Sequence, residues 1–244
     1  MKTDTRYPNA AILLAGGGGS RMRGAVKDKV LEQLCGLPVL LHSFKAFIES
    51  GLVGEIIFVC RDDSQKRAVK AGLKKHFPNI EKRFSVKFSK GGAERQDSVL
   101  NGLAEVSDIS QLAFIHDGAR PLVGAENVAL LAAAALRDGA AVLAVRVTDT
   151  VKRSSSPSVP VRAKLADLDR SHLWAMQTPQ VFRAADIISA YAYVRKNKIK
   201  ITDDVAAAQI AGIKVTVVEN LYPNPKITVP EDIAFIEFLK SRKA

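Results

Sequence analysis

Four consecutive glycines near the amino end, residues 16–19, are the feature of this 244-residue chain that most directly predicts chemistry. They follow the apolar segment 10–15, which is typical of a buried strand. Glycines let the backbone turn tightly and bring its N–H groups close to a ligand. The cations Arg21, Lys27 and Lys29 come shortly afterwards. A strand, a glycine loop and cations in this order predict a site for a nucleoside triphosphate.

This loop matches neither of the two common phosphate-binding loops. A P-loop would continue from Gly19 to a Gly-Lys-Ser/Thr ending, whereas the chain has glycine, alanine and valine at 24–26. A dinucleotide fingerprint would need a third glycine where Arg21 stands. A flexible turn without a ligand is the alternative, because glycine runs are common in loops. The adjoining cations favour the binding site.

The amino-acid composition limits the classes of ligand that this protein is expected to bind. A net charge of +11 predicts anionic ligands, and an aromatic content of only 6% favours small phosphorylated molecules over nucleic acid. No apolar segment reaches the roughly 18 to 20 residues of a membrane span, and we find no signal-peptide pattern, so we expect a cytoplasmic protein. Cys35 and Cys60 lie far apart without CxxC spacing, and the histidines have no close ligand spacing, so we expect no zinc site. We also expect no disulfide, because the expected compartment is reducing.

The elements that position these residues alternate along the chain. Strands are predicted at 10–15, 56–60, 84–88, 112–116, 140–145 and 214–218, and helices at 38–50, 63–76, 96–106, 126–137, 184–196, 203–211 and from 230. This succession predicts an α/β fold, a Rossmann-like and mostly parallel sheet with helices on both faces. The glycine run, Gly92 and Asp117 all follow strands, so we expect them to meet at one sheet edge.

Residues 148–168 interrupt the alternation. Two polar segments flank a tip rich in serine and proline, which predicts a protruding hairpin. Such an arm has little apolar surface for the main core and often packs against a partner subunit. A surface insertion without a partner is the alternative.

Several strings together carry a specific resemblance. They are AGGGGSRM (15–22), GGAERQDSV (91–99), HDGARP (116–121), DTVK (149–152), WAMQTPQ (174–180), TDD (202–204) and KITVPED (226–232). In this order and spacing they resemble the 2-C-methyl-D-erythritol 4-phosphate cytidylyltransferase family of non-mevalonate isoprenoid synthesis, over nearly the whole chain. The resemblance implies one domain of the nucleotide-diphospho-sugar transferase type over 1–244. It also implies transfer of CMP from CTP to methylerythritol phosphate, with magnesium and release of pyrophosphate.

The resemblance also implies roles for individual residues. Arg21 and Lys29 match the catalytic cations on the triphosphate. The matches to CTP-binding positions are Ala15, Gly16, Gly17, Gly18, Gly19, Gly92, Ser98 and Asp117. Thr150, Arg170 and Lys226 match contacts to the second substrate. Asp117 also matches an acid near the metal, which CTP phosphates mainly hold. In the family, arm residues reach the neighbouring subunit's site, which implies a homodimer.

The chain departs from the family pattern in three places. Asp28 replaces the usual proline and the glycine loop is one residue longer, which leaves the choice between Lys27 and Lys29 open; the spacing to segment 36–40 favours Lys29. Ala93 replaces a common aspartate, so the backbone alone would make one base contact. Asp97 is then an ordinary first-turn helix acid.

Several alternatives stay open from the sequence. Asp117 could be a buried structural acid, and Arg120 no more than its ion-pair partner. A ribitol 5-phosphate cytidylyltransferase would share the loop and the arm, because its substrate lacks only a methyl branch, worth about 1–3 kcal/mol. A non-catalytic nucleotide or RNA binder is disfavoured by the joint presence of four residues, Arg21, Lys29, Asp117 and Lys226. The chain ends shortly after the last predicted helix, so we expect a single activity.

Overall fold

The computed structural model describes residues 8–17, 22, 28–157 and 162–242. Among these residues, one sheet contains seven strands, and two further pairs of short strands lie outside it. The strands are β1 (Asn9–Leu14), β2 (Gln33–Leu34), β3 (Leu37–Pro38), β4 (Glu55–Cys60), β5 (Ser85–Lys90), β6 (Leu112–Asp117), β7 (Ala140–Arg146), β8 (Lys152–Ser154), β9 (Leu165–Asp167), β10 (Trp174–Arg183) and β11 (Thr216–Glu219). The α-helices are α1 (Val39–Glu49), α2 (Asp63–His76), α3 (Arg95–Leu103), α4 (Ala125–Asp138), α5 (Ala184–Lys196), α6 (Asp204–Ile210) and α7 (Glu231–Ser241).

The central sheet has the order β11-β7-β10-β6-β1-β4-β5. β10 is antiparallel to both of its neighbours, and every other pairing in the sheet is parallel. The predicted mostly parallel sheet is therefore confirmed. β10 is not apparent from the sequence, because its first half is largely exposed and it contains Pro179, a residue that argues against a strand. The register of β10 against β7 shifts between Met176 and Gln180.

Helices cover both faces of the sheet, as predicted. On β1, Ala11 and Leu13 belong to a core that includes residues of α1, α2 and α4, while Ala10 and Ile12 belong to one that includes residues of α3, α5 and α6. All six residues of β4 are buried. A strand covered on both faces loses the alternation of apolar and polar residues, which explains the continuous apolar runs in the sequence.

Part of the interrupting segment forms a strand pair. β8 and β9 are antiparallel, with Lys152 opposite Asp167 and Ser154 opposite Leu165. Residues 158–161 lie outside the described part of the chain. The role of this segment as an assembly arm stays a prediction, as does the assignment of the whole chain to one domain.

The topology brings four segments to one edge of the sheet. The carboxyl ends of β1, β4, β5 and β6 lie side by side there, since these strands are adjacent and parallel. The residues that directly follow these strands are Ala15 after β1, Arg61 after β4, Gly91 after β5 and Gly118 after β6. None of the helices in the described ranges combines the length and apolar character that crossing a membrane requires.

Candidate active site

A cavity of about 310 Å³ opens at this edge of the sheet. It is lined by the segment after β1, the start of α3, the end of β6 and the segment before α7. The predicted site residues that line it are Ala15, Gly16, Gly17, Lys29, Gly92, Ser98, Asp117 and Lys226. Residues distant in sequence therefore share one cavity.

The other predicted residues fall into two groups. Gly18, Gly19 and Arg21 are outside the described residues, as is Lys27. Thr150 and Arg170 are exposed and are not among the cavity's lining residues. Arg170 Nη1 donates to the carbonyl oxygen of Thr148 at 2.7 Å, which holds this side chain against the segment that precedes β8.

Close packing requires a glycine at Gly92, whereas a Cβ atom at Gly16 would make only ordinary van der Waals contacts. A Cβ atom on Gly92 would lie 2.2 Å from Cβ of Asp97, so no side chain fits there. The Gly92 N–H donates to Ser98 Oγ at 3.0 Å, which joins the strand end to α3. A Cβ atom on Gly16 would lie 3.5 Å from the backbone nitrogen of Arg61. Here the segment after β1 passes close to the end of β4.

Asp97 serves the helix and not the cavity. Its carboxylate accepts a hydrogen bond from the Glu94 N–H at 2.9 Å, which satisfies a free donor at the start of α3. The prediction of a first-turn helix acid is therefore confirmed. Ala93, beside it, lines the cavity and offers only its backbone for polar contacts.

Asp117 is the buried charge at the centre of the site. Its Oδ2 accepts a hydrogen bond from Lys226 Nζ at 2.6 Å, and its Oδ1 accepts one from Arg95 Nε at 3.3 Å. Burial raises the pKa of this carboxyl, but the two cations outweigh burial and hold the pKa well below its usual range. Asp117 is therefore ionised at neutral pH.

Arg120 makes no salt bridge to Asp117, contrary to the pairing suggested by the sequence, although its charge also lowers the pKa of Asp117. The salt bridges of Asp117 run to Lys226 and Arg95. Arg120 Nη1 instead donates to the carbonyl oxygen of Asn224 at 2.7 Å. Arg120 is close to Asp117 along the chain, because it lies in the turn after β6. The salt-bridge partners of Asp117 come instead from α3 and from the segment before α7.

Arg95 is held by a second buried acid that the sequence analysis gave no role. Its two terminal nitrogens donate to the two carboxylate oxygens of Asp204 at 2.9 and 2.8 Å. Asp204 is fully buried and also accepts a hydrogen bond from the Tyr191 hydroxyl at 2.5 Å. Charged side chains are almost never buried unless they are paired, so a buried Asp204 would need a cationic partner. Nothing in the local sequence identifies Arg95 as that partner. This network orients Arg95 towards Asp117.

A neutral histidine supports Asp117 from below. The Asp117 N–H donates to Thr178 Oγ1 at 3.0 Å, and that hydroxyl lies 3.1 Å from His116 Nδ1. His116 Nε2 lies 3.2 Å from the carbonyl oxygen of Arg120. A carbonyl can only accept, so Nε2 carries the proton and Nδ1 accepts from Thr178. Burial lowers the pKa of His116 to about 4, so the ring is neutral at neutral pH.

Lys29 lines the same cavity from the segment before β2. Its Nζ donates to the carbonyl oxygen of Ile227 at 2.9 Å. Ile227 is adjacent to Lys226, so the two lysines come close to the same short segment before α7. Their charges concentrate positive potential in a cavity that also contains the glycine backbone.

The comparisons with known proteins agree with this geometry. Residues 9–242 match the family model described as 2-C-methyl-D-erythritol 4-phosphate cytidylyltransferase. The chain belongs to this family. It is 39% identical to the chloroplastic enzyme of that name from Oryza sativa subsp. japonica, across 96% of this chain and 75% of that protein. It is 36% identical to the enzyme of that name from Pelotomaculum thermopropionicum, across 96% and 95%.

Solved structures of cytidylyltransferases show the same fold. The 4-diphosphocytidyl-2C-methyl-D-erythritol synthase from Anaerococcus prevotii has a TM-score of 0.82 at 26% identity, across 98% of this chain and 100% of that chain. The cytidylyltransferase from Thermus thermophilus has a TM-score of 0.72 at 28% identity, across 96% and 99%. The resemblance inferred from the sequence is confirmed, as is the class of enzyme, a nucleotidyltransferase.

The cavity lining contains few metal ligands, as expected where a metal ion is held mainly by the phosphates of a bound nucleotide. Among the described residues, no cluster of three or more histidine, cysteine or acidic side chains could hold a metal ion. The acidic lining residues are Asp117 and Glu94. Magnesium commonly binds through one or two carboxylates together with substrate phosphates, and this donor set fits that pattern.

We expect His116 to make the protein less stable in acid. Its folded-state pKa is lowered, so the unfolded chain takes up the proton first as the pH falls. The associated stability is complete above about pH 6.5 and is lost progressively down to about pH 4, a loss of about 3 kcal/mol. Urea unfolding at several pH values measures it.

The variant His116→Gln isolates this contribution, with the exposed His172→Gln as its control. The decline in unfolding free energy between pH 7 and 4 should shrink by about 3 kcal/mol in His116→Gln and stay unchanged in His172→Gln. Identical pH dependence in all three proteins would contradict the assignment of a neutral, buried ring.

Proposed function

We propose that this chain transfers CMP from CTP to 2-C-methyl-D-erythritol 4-phosphate and releases pyrophosphate, the reaction that its family relatives are named for. The observation that carries the proposal is the single cavity in which the glycine segment and Lys29 meet the Asp117–Lys226 pair. The reaction must bring two anions together, so a cavity with several cations is what it requires.

CTP would occupy the side of the cavity formed by the segment after β1 and the start of α3. The backbone at Ala15, Gly16 and Gly17 and the ammonium of Lys29 would hold the triphosphate. Gly92 and Ser98 would contact the base and ribose. Arg21 would be the second cation on the triphosphate and stays a prediction. Positive charge placed here stabilises the transition state at the α-phosphorus and the departing pyrophosphate.

The polyol phosphate would lie beside Lys226. An ammonium group has three N–H donors, so the bond to Asp117 leaves it able to hold a phosphate as well. The phosphate monoester is already ionised at neutral pH and can attack the α-phosphorus of CTP without a strong base. Asp117 then orients Lys226 and takes no proton from the substrate.

We propose that magnesium enters with CTP and is held mainly by its phosphates, with Asp117 as the nearest protein ligand. When bound, the ion would supply charge neutralisation to the triphosphate and the departing pyrophosphate. The protein's own contribution is the placement of Asp117 at the cavity wall, fixed by Arg95 and by Thr178. A cytoplasmic location stays a prediction.

The reaction can be tested by measuring pyrophosphate release from CTP and Mg²⁺ with each of two acceptors. We expect rapid release with 2-C-methyl-D-erythritol 4-phosphate and slower release with ribitol 5-phosphate, because the pocket gains from burying the branching methyl. A faster reaction with ribitol phosphate would assign the protein to that substrate. No release with either acceptor, from protein that is folded, would overturn the proposed function.

Lys29 should matter more than Lys27 for the transition state. Removing one donor that stabilises developing charge typically lowers kcat about 100-fold or more, and we expect this of Lys29→Ala because Lys29 lines the cavity. Lys27→Ala is the matched control and should keep kcat within about threefold. Steady-state kinetics with both substrates distinguishes them, and the reverse ranking would assign the triphosphate contact to Lys27.

We propose that the active form is a homodimer in which segment 148–168, together with Arg170 hydrogen-bonded to Thr148, reaches the partner's cavity. Thr150 and Arg170 support this, because both are exposed and neither lines the cavity of its own chain. A site completed by a partner residue requires both subunits for activity.

Mixing two inactive variants tests this arrangement. Lys29→Ala damages a chain's own cavity, whereas Arg170→Ala would damage only the partner's. Mixed dimers would then contain one intact site, so refolding the two variants together should restore about a quarter of wild-type activity. If Arg170 serves its own chain, the mixture stays as inactive as its components.

A further inference from the structure

One buried side chain joins the two ends of the glycine-rich segment. Gln65, in α2, is 1% exposed. Its Nε2 donates to the carbonyl oxygen of Ala15 at 3.1 Å and to Asp28 Oδ2 at 2.7 Å. Ala15 directly precedes the glycine run, and Asp28 directly precedes Lys29. A single amide group therefore connects the residues on either side of segment 16–27.

The other polar atoms of this group are also engaged. Gln65 Oε1 accepts a hydrogen bond from the Arg61 N–H at 2.7 Å, so both ends of the amide are fixed. Asp28 Oδ2 also accepts from Arg61 Nη2 at 3.1 Å, and Oδ1 accepts from the Val30 N–H at 3.3 Å. Asp28 is buried, and a buried carboxylate needs such partners. Arg61 therefore balances an acid placed directly beside a cationic site.

The residues adjacent to this group line the cavity, while Gln65 and Asp28 themselves do not. A shift of Ala15 would move Gly16, and a shift of Asp28 would move Lys29. We infer that Gln65 and Asp28 form a clamp that sets the spacing between the glycine backbone and Lys29. Both are positioning residues for the triphosphate of CTP, a role that rests on the proposed function.

This role has an asymmetric consequence. The clamp acts on the glycine segment and Lys29, whereas the polyol phosphate is assigned to Lys226, whose ammonium is held by Asp117. Loss of the clamp should therefore weaken the binding of CTP and leave the KM for the second substrate nearly unchanged. A merely structural pair would lower stability without distinguishing the substrates.

The test uses Gln65→Leu, Asp28→Asn and the double variant. Calorimetry with CTP and Mg²⁺ in the absence of acceptor measures affinity, and kinetics gives KM for both substrates. We expect each single variant to weaken CTP about tenfold and to change KM for the polyol phosphate by less than about twofold. The double variant should be about as impaired as the weaker-binding single variant, because the two residues act as one unit.

Asn9 provides a matched control at the other end of β1. It is also a buried amide that joins two segments, since its Nδ2 donates to the Leu52 carbonyl at 2.8 Å and its Oδ1 accepts from the Leu112 N–H at 3.1 Å. Asn9→Leu should lower the melting temperature and leave CTP affinity unchanged. It thus measures the effect of losing a buried amide that is remote from the cavity.

The inference is overturned if folded Asp28→Asn and Gln65→Leu bind CTP within about twofold of wild type, or if both substrates weaken equally. Independent, multiplying effects in the double variant would also overturn it. If Gln65→Leu does not fold, Asp28→Asn decides by the same criteria. A wild-type protein that binds CTP but releases no pyrophosphate defeats the proposed function only, because calorimetry still tests the clamp.

Discussion

A buried carboxylate held between two cations is the constraint on which the site depends. Asp117 ends β6, Lys226 comes from the segment before α7, and Arg95 begins α3. An ionised group removed from water is tolerated only when its charge is balanced and its hydrogen bonds are made. The end of β6, the start of α3 and the segment before α7 must therefore lie in contact, and the cavity forms at that place.

The same requirement extends outward from Asp117 in two directions. Arg95 is held by the fully buried Asp204, so the charge network continues into α6. Beneath Asp117, the neutral ring of His116 accepts from Thr178 and adds no further charge to a region that already holds several. Charged and neutral buried groups thus have separate tasks, since the former set the potential of the cavity and the latter set its geometry.

The architecture suits a reaction in which the main task of the protein is to position anionic substrates. In a cytidylyltransferase, catalysis comes from preorganised positive charge, because water cannot hold cations at fixed positions around a triphosphate. Here the rigid carboxyl ends of adjacent parallel strands provide the frame, and the glycine backbone approaches the space that a ligand would fill. The overall charge of +11 favours anionic ligands, while selection among them belongs to the cavity.

The sequence by itself determined the fold class and most of the elements, because apolar periodicity and glycine placement are local properties of the chain. The family resemblance added eight of the residues that line the cavity. It did not reveal β10, whose Pro179 and exposed half conceal the strand until two neighbours pair with it. Only the tertiary structure decided that Asp117 pairs with Lys226 and Arg95, that Asp204 holds Arg95, and that Gln65 joins Ala15 to Asp28. The physical reason is that a buried charge or amide must find partners in space, and spatial neighbours far apart along the chain leave no trace in local sequence pattern.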